Sequence, residues 1–221
     1  MRHVRSQRLI GGRDCAVFTE EGARDLILQA VDDHDESMLD AQIDLMEAQC
    51  GRSFQLAAFP VASWNDELSP WPAPPVFGNA PFGGGAERTL AYVLDVLLPA
   101  LEPADRVYLG GYSLSGFFAL WAATQTNIFS GVAGVSPSVW YPGWLEYEAA
   151  HPIRAGRVYL SLGDREEKTR NPVMARVGDC IRAQHASLSQ RLPCALEWNP
   201  GNHFRDPEKR TARGMAWLLE E

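Results

Sequence analysis

The chain has 221 residues, enough for one domain with a full core and too few for two of ordinary size. It is 46% hydrophobic and 22% charged, a globular composition, and no apolar run reaches membrane-spanning length. The net charge of −8, with no large lysine/arginine cluster, argues against nucleic acid as a partner and against a membrane surface.

In chain order, Met1 to Arg8 is basic but leads into no apolar segment with a cleavage site, so no secretory signal is expected. Gln7–Ile10 and Cys15–Thr19 flank Gly11-Gly12-Arg13-Asp14 and read as an antiparallel hairpin. Asp25–Val31 is a buried strand, and apolar spacing over Ser37–Ala48 predicts a helix. A strand follows at Phe54–Val61. Residues 62–85 then read as a long loop holding five prolines (70, 72, 74, 75 and 81), a triple glycine, and Trp64, Trp71, Phe77 and Phe82. Loops of that length in a domain are usually functional, so Trp64 and Trp71 are expected to wall a substrate pocket. Leu90, Val93, Leu94, Leu97, Leu98 and Leu101 mark an amphipathic helix that ends or kinks near Pro99.

Val107-Tyr108-Leu109-Gly110-Gly111-Tyr112-Ser113-Leu114-Ser115-Gly116 is an apolar strand running into a small-residue turn. Leu114, Phe117, Phe118, Leu120 and Trp121 continue it as a buried helix. A serine in such a turn is presented with its hydroxyl exposed, which suits a nucleophile. Sterics choose between the two serines. Gly111 and Ser115 flank Ser113 at two residues' distance, whereas Ser115 would have Phe117 crowding its turn. The usual pattern ends in glycine where this chain has Ser115.

Beyond the helix come a strand near Gly131–Val135 and an aromatic loop with Trp140, Tyr141 and Trp144, of which Trp140 is a further pocket candidate. A strand at Arg157–Leu162, a helix over Val173–Leu188 and a strand near Ala195–Trp198 follow. Asp206 and Pro207 mark the start of a last helix. Strands alternating with helices predict an α/β class, with a mostly parallel sheet covered on both faces, as a single domain over 1–221.

A serine nucleophile needs a base, and a neutral histidine is the usual one. His203 lies between the last strand and the last helix, at the sheet edge expected for Ser113. His34, in a loop after an earlier strand, is the rival; His3, His151 and His185 are terminal, in a loop and in a helix. The orienting acid should fall between serine and histidine, and Asp164, Glu166 and Glu167 follow a strand there. Oxyanion donors are expected at the Leu114 N–H and in the loop around Asp32–His34, at Asp33. The acidic run Asp32-Asp33-His34-Asp35-Glu36 is assigned to a helix start and not to a metal. Cys15, Cys50, Cys180 and Cys194 form no C-x-x-C pair and read as reduced thiols of a cytoplasmic protein.

Gly111-Tyr112-Ser113-Leu114-Ser115-Gly116, Gly163-Asp164-Arg165-Glu166 and Gly201-Asn202-His203-Phe204 resemble the motifs of the α/β-hydrolases. More narrowly they resemble the esterase group that includes esterase D and the enterochelin (siderophore) esterases. The resemblance covers roughly the second half of the chain. It implies the α/β-hydrolase fold, a Ser-His-acid triad acting on a small-molecule ester through an acyl-enzyme, and no metal or organic cofactor. The glutamate of the family's Gly-x-Arg-Glu segment falls on Glu166, with Asp164 as second choice. A siderophore substrate enters by analogy only. An acyltransferase or peptidase on the same triad, and a non-catalytic binding protein on the same fold, are the alternatives.

Overall fold

Five of the segments just described are apolar on both faces, and such strands are stable only inside a sheet with helices on each side. A computed structural model, which describes residues 2–76 and 78–220, has that arrangement. Its main sheet comprises β1 (Val4–Ile10), β2 (Arg13–Thr19), β3 (Asp25–Val31), β4 (Phe54–Pro60), β7 (Arg106–Tyr112), β8 (Phe129–Val135), β9 (Val158–Gly163) and β10 (Cys194–Asn199). They are ordered β1-β2-β4-β3-β7-β8-β9-β10. The β1–β2 hairpin is antiparallel, β2 meets β4 antiparallel, and every later pairing is parallel. Gly11 and Gly12, at φ 57° and 84°, make the two-residue hairpin turn that requires positive φ at both positions.

Helices cover both faces. On one lie α4 (Ala86–Tyr92), α5 (Ser113–Gln125), α6 (Trp144–Ala150) and α7 (Val177–Leu188), whose apolar residues share one core with Leu28, Leu109 and Leu160. On the other, α2 (Leu39–Gln49) and α8 (Pro207–Leu219) pack together over Ile27, Leu56 and Tyr108. The α5 helix is buried along nearly its whole length, as its almost uninterrupted apolar sequence requires.

The structure refines the expected elements in several places. The helix expected over Ser37–Ala48 is present as α2, and a separate short helix, α1 (Asp33–Ser37), precedes it with the junction at Met38. Poor helix formers fill α1, and Ser37 Oγ bonds back to the His34 carbonyl at 2.6 Å, which bends a helix. The leucine-rich helix loses α geometry after Tyr92, passing through a π-type turn at Val93–Leu97 and a 3₁₀ turn at Leu98–Ala100 where Pro99 withholds its N–H. Residues 62–85 hold a short helix, α3 (Trp64–Glu67), and a small ribbon of β5 (Pro72–Ala73) with β6 (Phe82–Gly83); Phe77 lies outside the described residues. Asp206 stands at the α8 N-cap position in the left-handed region, φ 51°, so its side chain pairs with Lys209 and Arg205 and not with the helix N–H groups.

The turn between β7 and α5 depends on close backbone approach. A Cβ on Gly116 would lie 2.5 Å from the Gly111 carbonyl, and one on Gly111 would lie 2.0 Å from Ser115 Oγ. The first clash is with backbone and has no easy relief. The second is with a side chain that can be removed. Gly111→Ala is therefore expected to lower the melting temperature by several degrees, and adding Ser115→Gly to recover part of that loss, as read by thermal unfolding of the single and double variants.

Candidate active site

The parallel strands all end at one edge, and the residues singled out in the sequence gather there. Ser113, the first residue of α5, has φ 56°, the left-handed region that non-glycine residues rarely enter. Its carbonyl accepts from the Ser138 N–H at 3.2 Å, tying the turn to the segment after β8. Ser115 Oγ donates to the Ala30 carbonyl at 2.8 Å, so the serine in place of the usual glycine joins α5 to the end of β3.

His203 sits between β10 and α8. Its Nε2 is 3.0 Å from Ser113 Oγ, and its Nδ1 is 2.7 Å from Glu166 Oε2. A carboxylate only accepts, so the Nδ1 proton points at Glu166 and Nε2 is left to accept from the Ser113 hydroxyl. His203 is partly open to solvent, its side chain 24% exposed, while the Glu166 side chain is buried. Of the three acids after β9, only Glu166 reaches His203. Asp164 is exposed and its Oδ1 accepts the Gly201 N–H at 2.8 Å, which braces the histidine loop from below. Glu167 pairs with Arg182 at 2.9 Å.

Three residues that sequence reasoning left unassigned complete the surroundings. Glu166 Oε1 accepts from the Gly163 N–H at 2.7 Å, Ser136 Oγ at 2.8 Å and Arg210 Nη1 at 3.2 Å. Arg210 is buried, and its Nη2 donates to the carbonyls of Pro200 and Asn202 at 3.0 and 3.2 Å. Tyr112 accepts from Arg210 at 3.1 Å and donates to the His203 carbonyl at 2.7 Å. Burial, reinforced by the nearby Glu166 charge, pushes the Tyr112 hydroxyl up to about 12, which keeps it a donor. A sequence signal for Arg210 existed: it lies on the buried stripe of α8 with Thr211, Gly214, Met215 and Leu218. An arginine in an apolar stripe implies an acidic partner across the core. Ser136, left-handed at φ 44°, carried no such signal.

The other predicted histidines lie elsewhere. His34 is exposed in α1, His151 ends α6 stacked on Tyr147, and His185 faces the Cys194 carbonyl from α7. His3 is buried, with Glu47 at 2.7 Å and the Phe54 carbonyl at 2.8 Å. Leu114 is the second residue of α5, in the first turn, where backbone N–H groups have no helical partner and favour an anion. Asp33 begins α1, capped by Asp32, whose Oδ1 accepts the Asp35 N–H at 2.8 Å. Asp35 itself is pushed up to about 7 by burial and by the adjacent Asp32 charge.

The aromatics expected to wall a pocket make the following contacts. Trp71 Nε1 donates to the Pro142 carbonyl at 2.9 Å and Tyr141 Oη donates to the Trp71 carbonyl at 2.6 Å. Trp140 is buried against Phe82 and Tyr141. Trp144, expected in a loop, starts α6 and packs on Phe117. The structure thus clamps the 62–85 excursion onto the segment after β8 and leaves Trp64 on its outer part, half-buried in α3. Two surface hollows of about 250 and 430 Å³ lie at the opposite, amino edge of the sheet, around Cys50 and Ala23.

Two predictions follow from these contacts. Arg210→Met leaves Glu166 buried without its cation and is expected to cost about 3–5 kcal/mol, measured by urea unfolding. Asp35 holds a proton in the folded chain at pH values where the unfolded chain has released it, so its burial costs stability as pH rises. Asp35→Asn should therefore stabilise the protein by an amount that grows between about pH 4 and pH 7 and then levels off, seen in unfolding midpoints across that range.

No protein-family model matches this sequence, and no curated protein matches it. Solved structures do. An IroE-like serine hydrolase from Shewanella oneidensis superposes with a TM-score of 0.80 at 15% identity, over 98% of this chain and 80% of that one. A siderophore hydrolase, EstA, from Aspergillus nidulans gives 0.74 at 17% identity, over 99% and 94%. A dienelactone hydrolase from Anabaena variabilis gives 0.63 at 13%, over 99% and 96%. At such identities the likeness is one of architecture: this chain has the α/β-hydrolase fold.

Proposed function

We propose that the chain is a serine hydrolase acting on carboxylic esters, with Ser113 as nucleophile, His203 as base and Glu166 as the orienting acid. The observation that carries this reading is the hydrogen-bond chain from Ser113 through His203 to Glu166, at 3.0 and 2.7 Å, on a left-handed serine at the strand edge. The names of the structural neighbours, a serine hydrolase and a siderophore hydrolase among them, support it.

In this mechanism Ser113 Oγ attacks the ester carbonyl while its proton passes to His203 Nε2. Glu166 stabilises the imidazolium through Nδ1. The Leu114 N–H, with a second donor from the first turn of α1 at Asp33, receives the oxyanion. Collapse breaks the C–O bond, and the Nε2 proton leaves with the alcohol. Water, deprotonated by His203, then attacks the acyl-enzyme; the acyl–Oγ bond breaks, Nε2 returns the proton to Ser113 Oγ, and the carboxylic acid leaves.

The substrate is a small-molecule ester handled by one α/β-hydrolase domain. Among the described residues no helix is long and apolar enough to cross a membrane, and all four cysteines are free thiols. The thiols support a cytoplasmic setting.

Intact-mass spectrometry after treatment with a fluorophosphonate tests the assignment. Wild type is expected to gain one adduct and Ser113→Ala none, with circular dichroism unchanged. Glu166→Gln should keep the serine but lower ester turnover about 10⁴-fold. An adduct on Ser113→Ala equal to wild type refutes the nucleophile; undiminished turnover in Glu166→Gln refutes the acid.

A further inference from the structure

Phe204 directly follows His203 and, at 85% exposure, is the most exposed large hydrophobic side chain among the described residues. Its ring stands edge-on to the imidazole, with centroids 5.5 Å apart and planes at 87°. The backbone beneath is held firmly. The Phe204 N–H donates to Asn202 Oδ1 at 3.1 Å and the Arg205 N–H to the Asn202 carbonyl at 3.3 Å. That same carbonyl accepts from Arg210, and the His203 carbonyl accepts from Tyr112.

Single apolar side chains on a protein surface are ordinary. This one differs in standing on an anchored backbone and in lying edge-on to the ring whose Nε2 faces Ser113. If Nε2 returns its proton to the leaving oxygen, that oxygen lies within hydrogen-bond reach of the imidazole. The imidazole is 24% exposed and in edge-to-face contact with Phe204, so an alcohol substituent that leaves past the solvent-open part of His203 comes within reach of the phenyl ring. An aromatic surface recognises flat apolar groups through dispersion and edge-to-face contact, and gives little to a short alkyl chain.

We infer that Phe204 is a specificity-determining residue that receives the alcohol half of the ester and selects planar apolar alcohols; this rests on the serine-esterase reading above. The leaving-group chemistry is the one already written, with the alcohol departing protonated by His203, and Phe204 takes no part in bond making.

The test compares benzyl butanoate with ethyl butanoate, two esters of one acid whose alcohols differ little in acidity. Kinetics are measured on the full chain as wild type, Phe204→Ala and Phe204→Trp, each also treated with the fluorophosphonate. Wild type is expected to prefer the benzyl ester. Phe204→Ala should shrink the benzyl-to-ethyl ratio of kcat/KM roughly tenfold, chiefly through KM, and Phe204→Trp should restore it. If Phe204 merely supported His203, both esters would fall together and the ratio would hold, which overturns the inference. A labelled wild type without preference for the benzyl ester overturns it too. A folded wild type that takes no label at Ser113 and hydrolyses neither ester is the separate failure of the esterase reading, and removes the inference with it.

Discussion

The buried pair of Arg210 and Glu166 organises the carboxyl edge of this sheet. Their side chains are 3% and 5% exposed and 3.2 Å apart. Taking both charges out of water costs several kcal/mol each, and attraction alone does not offset that. The remaining hydrogen bonds do. Glu166 also accepts from Gly163, Ser136 and His203, while Arg210 reaches Tyr112 and the carbonyls of Pro200 and Asn202. One ion pair thereby joins the ends of β7, β8 and β9 to the loop between β10 and α8.

The strain at this edge becomes intelligible in that setting. Ser113 and Ser136 end neighbouring parallel strands, both in the left-handed region. Such conformations cost on the order of 1–3 kcal/mol each and persist only where surrounding contacts over-determine them. Ser136 is fixed by its N–H to the Ser161 carbonyl and its hydroxyl to Glu166; Ser113 is fixed by Ser138 and by the buried α5 it begins. The ion pair thus bears directly on the Ser136 turn, through the Ser136 hydroxyl, and on the His203 loop, through the carbonyls that Arg210 holds.

The two flanks of the edge have opposite characters. On one, Trp71, Phe82, Phe117, Trp140, Tyr141 and Trp144 form a contiguous aromatic block. Rings packed at these distances resist rearrangement, which makes this flank a rigid support. On the other, Asn202, Phe204 and Arg205 stand in solvent around a partly open His203. Exposed side-chain surface accordingly lies on the open flank, whereas the rings of the block are buried largely against one another.

The class of fold and the order of its elements were legible in the chain because they follow from local pattern. Doubly apolar runs at residues 25–31, 107–112 and 158–163 predict buried parallel strands, and small residues around Ser113 predict a tight strand-to-helix turn. Other features were beyond local pattern. Asp164, Glu166 and Glu167 are chemically similar neighbours, and only the direction in which each side chain leaves the turn after β9 separates them. For the aromatic residues of 62–85, sequence shows their apolarity and not which rings and carbonyls they meet. The break at Met38 and the loss of α geometry after Tyr92 arise where backbone hydrogen bonding is redirected, which residue spacing does not encode. Sequence alone thus determined the fold class and the three segments that meet at the edge. The tertiary structure decided which atoms face each other there, because hydrogen bonds between residues some 90 positions apart exist only once the sheet has assembled.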